Sequence, residues 1–523
     1  MPSDTTAVSQ LAASAPAASG FTRMGVVGTG VMGKGIAQIA AQAGLEVLLF
    51  DARPQAAQDA VADLGRTLAR LAEKGKLGPE ALAKAQAKLK AVDTVEGLAA
   101  CDLVVEAIAE SLDAKRQLFT QLEGLLSDQA VLATNTSSLS VTSIAAGLRL
   151  PQRVAGFHFF NPVPLMKIVE VIDGLLTERA VSERLLALGR EMGHTAVRAQ
   201  DTPGFIVNHA GRGYGTEALR LLAEGVGSIE DIDRVLRETA GFRLGPFELM
   251  DLTGLDVSHP VMESIYHQYY EEPRFRPQPL TRQMLSAGVL GRKTSRGFYR
   301  YDEGQQARSS EAPTGDARPA RVWVSRKHPE GHARAVALLE QLGATMDAAE
   351  RPYADSLCIV TPLGEDATSL AVAEGLDSAR TVALDTLFDT SRRRVLAATP
   401  VTALDVREQA RGLFGADGVP VTFLLDSAGL VAARVVATIV NIASEMAQHG
   451  VAAPADIDRA VQLGLGYPWG PLAWGDRLGA STVLTVLEHL QASTGDPRYR
   501  PSPWLRRRAQ LGLSLLTQDL SRG

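Results

Sequence analysis

MGVVGTGVMGKG, at residues 24–35, places a glycine-rich loop between a short apolar run and a helical pattern. Residues 24–27 read as a strand, and residues 36–43 continue the loop as a helix. A second apolar run, at 47–50, ends on Asp51. A G-x-G-x-x-G motif indicates dinucleotide binding when it forms the turn between a strand and a helix, and when the following strand ends on an acid.

Each glycine of the motif has a separate role in this interpretation. Gly28 permits the tight turn, Gly30 lets the backbone approach a pyrophosphate, and Gly33 allows the helix to pack closely on the strand. Val31 and Met32 lie between them, where the first N–H groups of the helix and its positive dipole end face the phosphates.

Asp51 indicates which dinucleotide is bound. A carboxylate at the end of the second strand accepts hydrogen bonds from the ribose hydroxyls, which favours NAD over NADP. Arg53 keeps an alternative open, because an arginine there can also meet a 2′-phosphate or stack on adenine.

Composition excludes several classes of function. At 523 residues the chain is long enough for three to four domains, and its net charge of −6 indicates neither nucleic acid nor an anionic membrane. The two cysteines, Cys101 and Cys358, show no metal-binding or redox spacing, so we expect no metal. No apolar run approaches the ~20 residues of a membrane span. Residues 1–20 are rich in Ala and Ser and lack Lys and Arg, which predicts a disordered tail and a cytoplasmic protein.

Polar residues follow a later strand of the same unit. The apolar runs at 103–108 and 131–133 read as buried strands, and the second leads into Thr-Asn-Thr-Ser-Ser at 134–138. Ligands of open α/β sheets bind at the carboxyl ends of strands, so these side chains are candidates for a site. Ser and Asn also favour turns and helix caps for local reasons, so this segment alone leaves both interpretations open.

A histidine and a carboxylate form the candidate catalytic pair. His158 lies among aromatic residues at a strand end, and Glu170 lies within an apolar strand where a carboxylate is costly to bury unless it is paired. A histidine whose far nitrogen meets a carboxylate is the general-base arrangement. The sequence alone does not show that the two residues touch, and a core histidine remains the other interpretation.

Several motifs in register resemble the NAD-dependent 3-hydroxyacyl-CoA dehydrogenase family over about residues 22–301. The matching segments are GTGVMG (28–33), VEAIAE (105–110), NTSSL (135–139), HFFNPVP (158–164) and DTPGFIVN (201–208). The resemblance implies NAD as cofactor and an (S)-3-hydroxyacyl-CoA as substrate, oxidised to the 3-oxoacyl-CoA.

The resemblance also implies roles for individual residues. His158 resembles the base that takes the 3-hydroxyl proton, and Glu170 resembles its charge partner. Ser137 and Asn208 resemble the groups that hydrogen-bond the reacting and thioester oxygens. Four further positions match residues around the cofactor and the acyl end: Glu110, Lys115, Asn135 and Asn161. Two positions match residues that contact the CoA portion: Thr67 and Lys74.

The fold class that follows is α/β: a Rossmann-like NAD-binding domain and an all-α domain, then a degenerate second copy of both. Asp231-Ile-Asp-Arg recurs as Asp456-Ile-Asp-Arg, and Gly245-Pro recurs as Gly470-Pro, each 225 residues later. The predicted divisions are a tail (1–20), an NAD-binding domain (21–203), a helical domain (204–301), a linker (302–320), a degenerate Rossmann-like segment (321–426) and a second helical domain (427–523).

We interpret the second half as a copy that has lost its chemistry. The strand at 357–360, a helix-like stretch and the strand ending on Asp385 resemble the opening strand, helix and strand, and the run at 396–401 resembles that at 132–137. In this alignment Ser137 corresponds to Val401 and Asn208 to Ala433. The two helical modules are expected to pair, either within the chain as a pseudo-dimer or between chains as a homodimer.

The long form with a degenerate second half resembles the members of the family that act on 3-hydroxyadipyl-CoA in bacterial phenylacetate catabolism. Such a substrate needs a cation at the far end of the acyl chain, and Arg212, Arg243 and Arg276 are available. No crotonase-type segment precedes the dinucleotide domain, so we expect a stand-alone dehydrogenase. The alternatives are a 3-hydroxybutyryl-CoA enzyme of β-oxidation or other fatty acid metabolism, a dehydrogenase of free hydroxy acids, and an NAD-binding scaffold with little activity.

Overall fold

The computed structural model describes residues 18–307, 309–311 and 313–519, and the chain divides into two units, Met1–Asp201 and Thr202–Gly523. Residues 1–17 of the predicted tail lie outside the described residues. Residues 18–20 belong to the folded unit instead: Ser19 is buried, and its backbone N–H and hydroxyl both donate to the Glu191 carboxylate (2.8 and 2.6 Å).

The described part of the first unit is a sheet with helices. Its strands are β1 (Arg23–Val27), β2 (Glu46–Phe50), β3 (Leu89–Ala91), β4 (Leu103–Glu106), β5 (Val131–Thr134), β6 (Val154–Phe159), β7 (Ile168–Asp173) and β8 (Thr195–Gln200). Its helices are α1 (Val31–Gln42), α2 (Ala56–Glu73), α3 (Pro79–Lys88), α4 (Leu112–Leu125), α5 (Val141–Ala145) and α6 (Arg179–Glu191).

These strands form one sheet in the order β3-β2-β1-β4-β5-β6-β7-β8. All neighbours are parallel except β6 and β7, which run antiparallel. The central strands are apolar on both faces and buried, as a parallel sheet covered by helices requires. The carboxyl ends of β1, β4, β5 and β6 therefore meet at one edge, which is where the predicted polar residues lie.

The second unit carries the two helical modules and a smaller sheet. Its helices are α7 (Val207–Ala210), α8 (Arg212–Ala223), α9 (Ile229–Glu238), α10 (Pro246–Thr253), α11 (Leu255–Gln268), α12 (Pro279–Ser286), α13 (Pro329–Gln341), α14 (Ala367–Glu374), α15 (Leu404–Phe414), α16 (Ala432–Gln448), α17 (Pro454–Leu465), α18 (Pro471–Leu478), α19 (Ala480–Thr494) and α20 (Pro503–Leu511). Its strands are β9 (Tyr301–Asp302), β10 (Gln305–Gln306), β11 (Arg321–Val324), β12 (Ser356–Val360), β13 (Thr381–Leu384), β14 (Arg394–Ala398) and β15 (Val421–Leu425).

The predicted repeat of the helical module is present in atomic detail. Asp233 accepts hydrogen bonds from two backbone N–H groups in the first turn of α10, both at 3.0 Å. Asp458, 225 residues later, accepts from the equivalent two groups in α18, both at 2.8 Å. The same buried carboxylate thus caps the same helix in both copies, and the predicted fold class is confirmed.

The prediction for the second sheet was wrong in its details. The sheet runs β11-β12-β13-β14-β15, and its antiparallel pair is β13–β14, whereas in the first unit that pair is β6–β7. Paired residues of β14 and β15 are 27 apart in sequence, as they are in β7 and β8. The second sheet therefore corresponds to β4–β8, and β12 is the counterpart of β5 rather than of the opening strand.

This register identifies which elements of the first sheet have no counterpart in the second copy. Among the described residues of the second unit, nothing corresponds to β1, α1 and β2, so this part of the chain has no counterpart of the glycine loop. At the constant offset of 225, the residue equivalent to Ser137 is Pro362, and not Val401 as the sequence suggested. Asn208 still corresponds to Ala433, near the start of α16.

The two helical modules pack against each other within the second unit, mainly through α8 and α16. The Glu217 carboxylate of α8 is 1% exposed and accepts from Arg434 Nε (2.6 Å), Arg498 Nη1 (3.2 Å) and the Tyr499 hydroxyl (2.5 Å). Burial alone would raise the pKa of Glu217, but the two guanidinium groups outweigh it and lower the pKa. A shared ionic cluster thus joins the repeats.

Replacing Asp385, which follows β13, with asparagine should change the pH dependence of unfolding. Burial raises the pKa of the Asp385 carboxyl to about 6, from an ordinary value of 3.8. The folded state therefore holds a proton that the unfolded chain has lost, and the free energy of unfolding falls as pH rises from about 4 to about 6. Above pH 6, Asp385→Asn should be more stable than wild type, by something on the order of 3 kcal/mol.

Urea midpoints at pH 4 and pH 8 test this expectation. The chain has four tryptophans, all in the second unit, so their fluorescence reports on that unit. Asp316→Asn, at an exposed position of the linker, is the matched control. The wild type and Asp385→Asn should converge at pH 4 and separate at pH 8, and an equal difference at both values would contradict the assignment.

Candidate active site

The glycine loop between β1 and α1 has the shape that a pyrophosphate requires. Gly28 has φ +95°, and a Cβ on Gly33 would lie 1.8 Å from the Gly28 carbonyl oxygen, so neither position tolerates a side chain. A Cβ on Gly30 would meet no atom within 4 Å, which leaves the loop surface open. Gly30 caps α1, which begins at Val31. The residues present therefore fit a dinucleotide phosphate at this helix end.

Asp51 lies at the end of β2 beside a cleft of about 560 Å³. Its carboxylate accepts from the backbone N–H and hydroxyl of Thr29 (2.8 and 2.7 Å) and from Arg53 Nε and Nη2 (3.0 Å each). The Arg53 guanidinium holds the pKa of Asp51 well below its ordinary value, so the group is ionised. The Arg53 side chain is 71% exposed, whereas that of Asp51 is 8% exposed.

Asp51→Asn should weaken NAD binding roughly tenfold or more, because hydrogen bonds to a charged acceptor are worth about 1.5–3 kcal/mol. Titration calorimetry with NAD measures the dissociation constant, and acyl-CoA binding, which should stay near the wild-type value, serves as the folding control. Asp59→Asn, at an exposed position on α2, is the matched control variant. Equal loss of both ligands in Asp51→Asn would count against a cofactor role.

A buried ionic cluster follows β4. Lys115 on α4 is 1% exposed, and its ammonium lies 2.6 Å from Glu106 Oε1 and 3.3 Å from Glu110 Oε2. Glu106 also accepts from the Thr134 hydroxyl (2.7 Å). Sequence reasoning did not select Glu106, although an acid inside the apolar run at 103–108 was the available signal. Lys115 therefore forms ion pairs with both Glu106 and Glu110, and its ammonium is held inside this ionic cluster.

Glu110 organises the hydroxyl-rich loop after β5. Its Oε1 atom accepts from the Thr136 hydroxyl (2.7 Å), the Ser138 hydroxyl (2.9 Å) and the Ser137 backbone N–H (3.0 Å). Burial raises the pKa of Glu110, but Lys115 and these hydrogen bonds outweigh it and lower the pKa. The loop that carries Ser137 is thus held by an ionised carboxylate.

His158 and Glu170 are in contact. They occupy paired positions of the antiparallel strands β6 and β7, and His158 Nδ1 lies 2.6 Å from Glu170 Oε2. Both side chains are buried, at 5% and 0% exposure. The register of two strands therefore brings together the residues that the sequence could only list separately.

The remaining predicted positions have different surroundings. Asn135 Oδ1 accepts from the Phe159 backbone N–H (2.8 Å), which ties the loop after β5 to β6. Asn161 is exposed, as are Thr67 on α2 and Lys74 just beyond it. Asn208 lies on α7 in the second unit. The first unit thus pairs Ser137 with Glu110 and His158 with Glu170, while the roles of these residues stay predictions.

No helix in the described ranges is long and apolar enough to cross a membrane. Within the same ranges, no cluster of three or more His, Cys, Asp or Glu side chains could hold a metal ion.

Comparison with known proteins adds an independent line of evidence. The family model "3-hydroxyacyl-CoA dehydrogenase, NAD binding domain" matches residues 23–202, and "3-hydroxyacyl-CoA dehydrogenase, C-terminal domain" matches 204–301 and again 429–516. The 3-hydroxyadipyl-CoA dehydrogenase of Escherichia coli K12 is 39% identical over 490 residues, 93% of this chain and 97% of that protein. A probable 3-hydroxybutyryl-CoA dehydrogenase of Bacillus subtilis is 42% identical over 53% of this chain and 96% of its own length.

Solved structures agree with the sequence relatives. The crystal structure of 3-hydroxybutyryl-CoA dehydrogenase from Escherichia coli K12 superposes with a TM-score of 0.83 at 36% identity, covering 94% of this chain and 98% of that one. The family model of the C-terminal domain thus matches both helical modules. The chain belongs to the 3-hydroxyacyl-CoA dehydrogenase family, whose members are NAD-dependent oxidoreductases.

Proposed function

We propose that this protein oxidises (S)-3-hydroxyadipyl-CoA to the 3-oxoacyl-CoA, with NAD as the acceptor, in the cytoplasm. The observation that carries the reaction type is the buried His158–Glu170 pair in the sheet that also bears the glycine loop. The name of the Escherichia coli relative, which matches over almost the whole chain, supports the acyl group.

His158 is the base in this proposal. Its Nδ1 atom faces Glu170, so Nδ1 carries the proton that the carboxylate accepts, and Nε2 keeps its lone pair for the substrate hydroxyl. When Nε2 takes the hydroxyl proton, the imidazole becomes positively charged, and the neighbouring Glu170 carboxylate stabilises that charge. In the reverse direction the imidazolium returns the proton to the 3-oxo oxygen.

The cofactor would be held by the glycine loop at the start of α1, by Asp51, and by Glu110, Lys115, Asn135 and Asn161. When bound, NAD supplies a hydride acceptor for C3 of the substrate. The protein's own contribution is to fix the substrate hydroxyl towards His158, with Ser137 and Asn208 as hydrogen-bonding groups at the reacting and thioester oxygens. Thr67 and Lys74 are proposed to contact the CoA portion.

NADH formation from a panel of (S)-3-hydroxyacyl-CoA thioesters tests the function. The panel contains the butyryl, hexanoyl and adipyl forms, and kcat/KM is measured for each from the absorbance of NADH. The proposal expects the highest value for 3-hydroxyadipyl-CoA.

A preference for 3-hydroxybutyryl-CoA would instead favour the activity that other relatives are named for. Binding of NAD without turnover of any thioester would indicate a scaffold. Activity on the free hydroxy acids, with none on the thioesters, would overturn the acyl-CoA assignment.

A further inference from the structure

A cavity of about 260 Å³ lies inside the second unit, and both helical modules line it. Asn208, Arg212 and Tyr214 come from the first module, whereas Leu465 and Tyr467 come from the second. Most of the other lining side chains are apolar: Pro246, Leu249, Met250, Val257, Val261 and Met262. A cavity with this lining suits a short alkyl chain.

Arg212 puts a positive charge into this apolar cavity. Its Nε atom donates to the Asn208 carbonyl oxygen (2.8 Å), and no carboxylate of the described ranges forms an ion pair with its guanidinium. Burial lowers the pKa of Arg212 to about 10, so it is still charged at neutral pH. A cation removed from water without a counter-ion costs free energy, which an incoming anion would recover.

Tyr467 supplies a second polar atom to the same cavity. Its hydroxyl is buried and has no hydrogen-bond partner among the described residues. Burial raises its pKa, so the hydroxyl stays protonated and can donate. Its ring packs against Tyr214 and Phe242, which fixes its position. Arg212 and Tyr467 therefore give the cavity two donors, and no carboxylate is among its lining residues.

We propose that Arg212 and Tyr467 bind the terminal carboxylate of a dicarboxylyl-CoA substrate. The inference rests on the proposed function, in which Asn208, on the same cavity, hydrogen-bonds the thioester oxygen. Side chains four residues apart on a helix lie about 5–6 Å from each other at their stems. Asn208 and Arg212 are spaced in this way, so one can meet the thioester end and the other the carboxylate end of a short acyl chain.

The other two candidate arginines do not share these features. Arg243 and Arg276 are both exposed, and neither lines the cavity. A monocarboxylic acyl group would leave Arg212 without a counter-ion, so this cavity favours diacids over fatty acyl chains of the same length.

The assignment also gives the degenerate half a direct part in specificity. At the offset of 225, Tyr467 corresponds to Phe242, which lacks the hydroxyl, and Arg212 corresponds to Ala437, which lacks the charge. The pair of donors is thus formed from one residue of each copy and is not reproduced at the equivalent positions.

The test compares kcat/KM for 3-hydroxyadipyl-CoA with that for 3-hydroxyhexanoyl-CoA, which has a methyl group in place of the carboxylate. Arg212→Gln should lower the adipyl-to-hexanoyl ratio roughly 10- to 100-fold, since it removes a charge-assisted hydrogen bond. Arg212→Lys should keep a larger part of the ratio, and Tyr467→Phe should lower it by roughly threefold to tenfold. The matched control is Arg243→Gln, which should leave the ratio at the wild-type value.

The outcomes separate the inference from the function on which it rests. If the wild type oxidises both thioesters and Arg212→Gln keeps the wild-type ratio, the inference is overturned while the function stands. If the wild type oxidises neither thioester, the proposed function itself fails. If Arg212→Gln proves inactive on both substrates, Tyr467→Phe decides: a lowered ratio supports the carboxylate site, and an unchanged ratio overturns it.

Discussion

His158→Ala is expected to lower kcat for (S)-3-hydroxyacyl-CoA oxidation by roughly 10²–10⁴-fold, the range typical of losing a general base. The physical reason is that no other group then takes the hydroxyl proton as C3 gives up its hydride. His158 is not among the groups proposed to hold the cofactor, so the dissociation constant of NAD should change little.

Glu170→Gln tests the contribution of the carboxylate separately from that of the imidazole. Glutamine keeps the size of the side chain and can still hydrogen-bond Nδ1, but it cannot stabilise an imidazolium, so kcat should also fall within this range. Initial-rate kinetics at saturating NAD measures both variants, and His267→Ala, an exposed histidine on α11, is the matched control. Retained turnover in both active-site variants would refute the assignment of the base.

Glu217→Gln should have the largest effect on stability. The Glu217 carboxylate forms ion pairs with two buried guanidinium groups, those of Arg434 and Arg498. Removing one member of a buried ionic cluster typically costs about 3–5 kcal/mol, because the remaining charges are left in a medium of low dielectric constant. We therefore expect the second unit to unfold at a clearly lower urea concentration.

Tryptophan fluorescence follows this transition, since the four tryptophans report on the second unit alone. The double variant Glu217→Gln/Arg434→Met is compared with the two single variants, because it removes a charge of each sign. Its destabilisation should be smaller than the sum of the two single effects, as expected for residues in one network. Additive effects would mean that the cluster does not couple the modules.

The sequence predicted those parts of the first unit that depend on local patterns. The glycine loop, the acid after β2 and the strands that carry His158 and Glu170 all have short-range signals, such as turn glycines and apolar runs. Contact between His158 and Glu170 depends on the antiparallel register of β6 and β7, which no local pattern specifies. The burial of Lys115 between two carboxylates was missed for the same reason.

The second half shows where pattern matching misleads. A strand–helix–strand run ending on an acid looks alike wherever it occurs in an α/β sheet, so the stretch up to Asp385 was matched to the opening of the first copy. The direction of β14 against β13, together with the 27-residue spacing of β14 and β15, shows that it corresponds to the later half of that sheet. The sequence offered Arg212 as one of three candidate arginines, but it did not show that Arg212 and Tyr467 line one cavity, because the two residues lie in different copies of the repeat.

The missing opening half of the second sheet has a consequence for binding stoichiometry. The described residues of one chain contain one glycine loop of this kind and two helical modules, so a titration should reach saturation at one NAD per 55.6 kDa chain. The binding isotherm should then be hyperbolic, with a Hill coefficient of one. Cooperativity between cofactor sites, which a pair of complete subunits could show, would in this protein require a second chain.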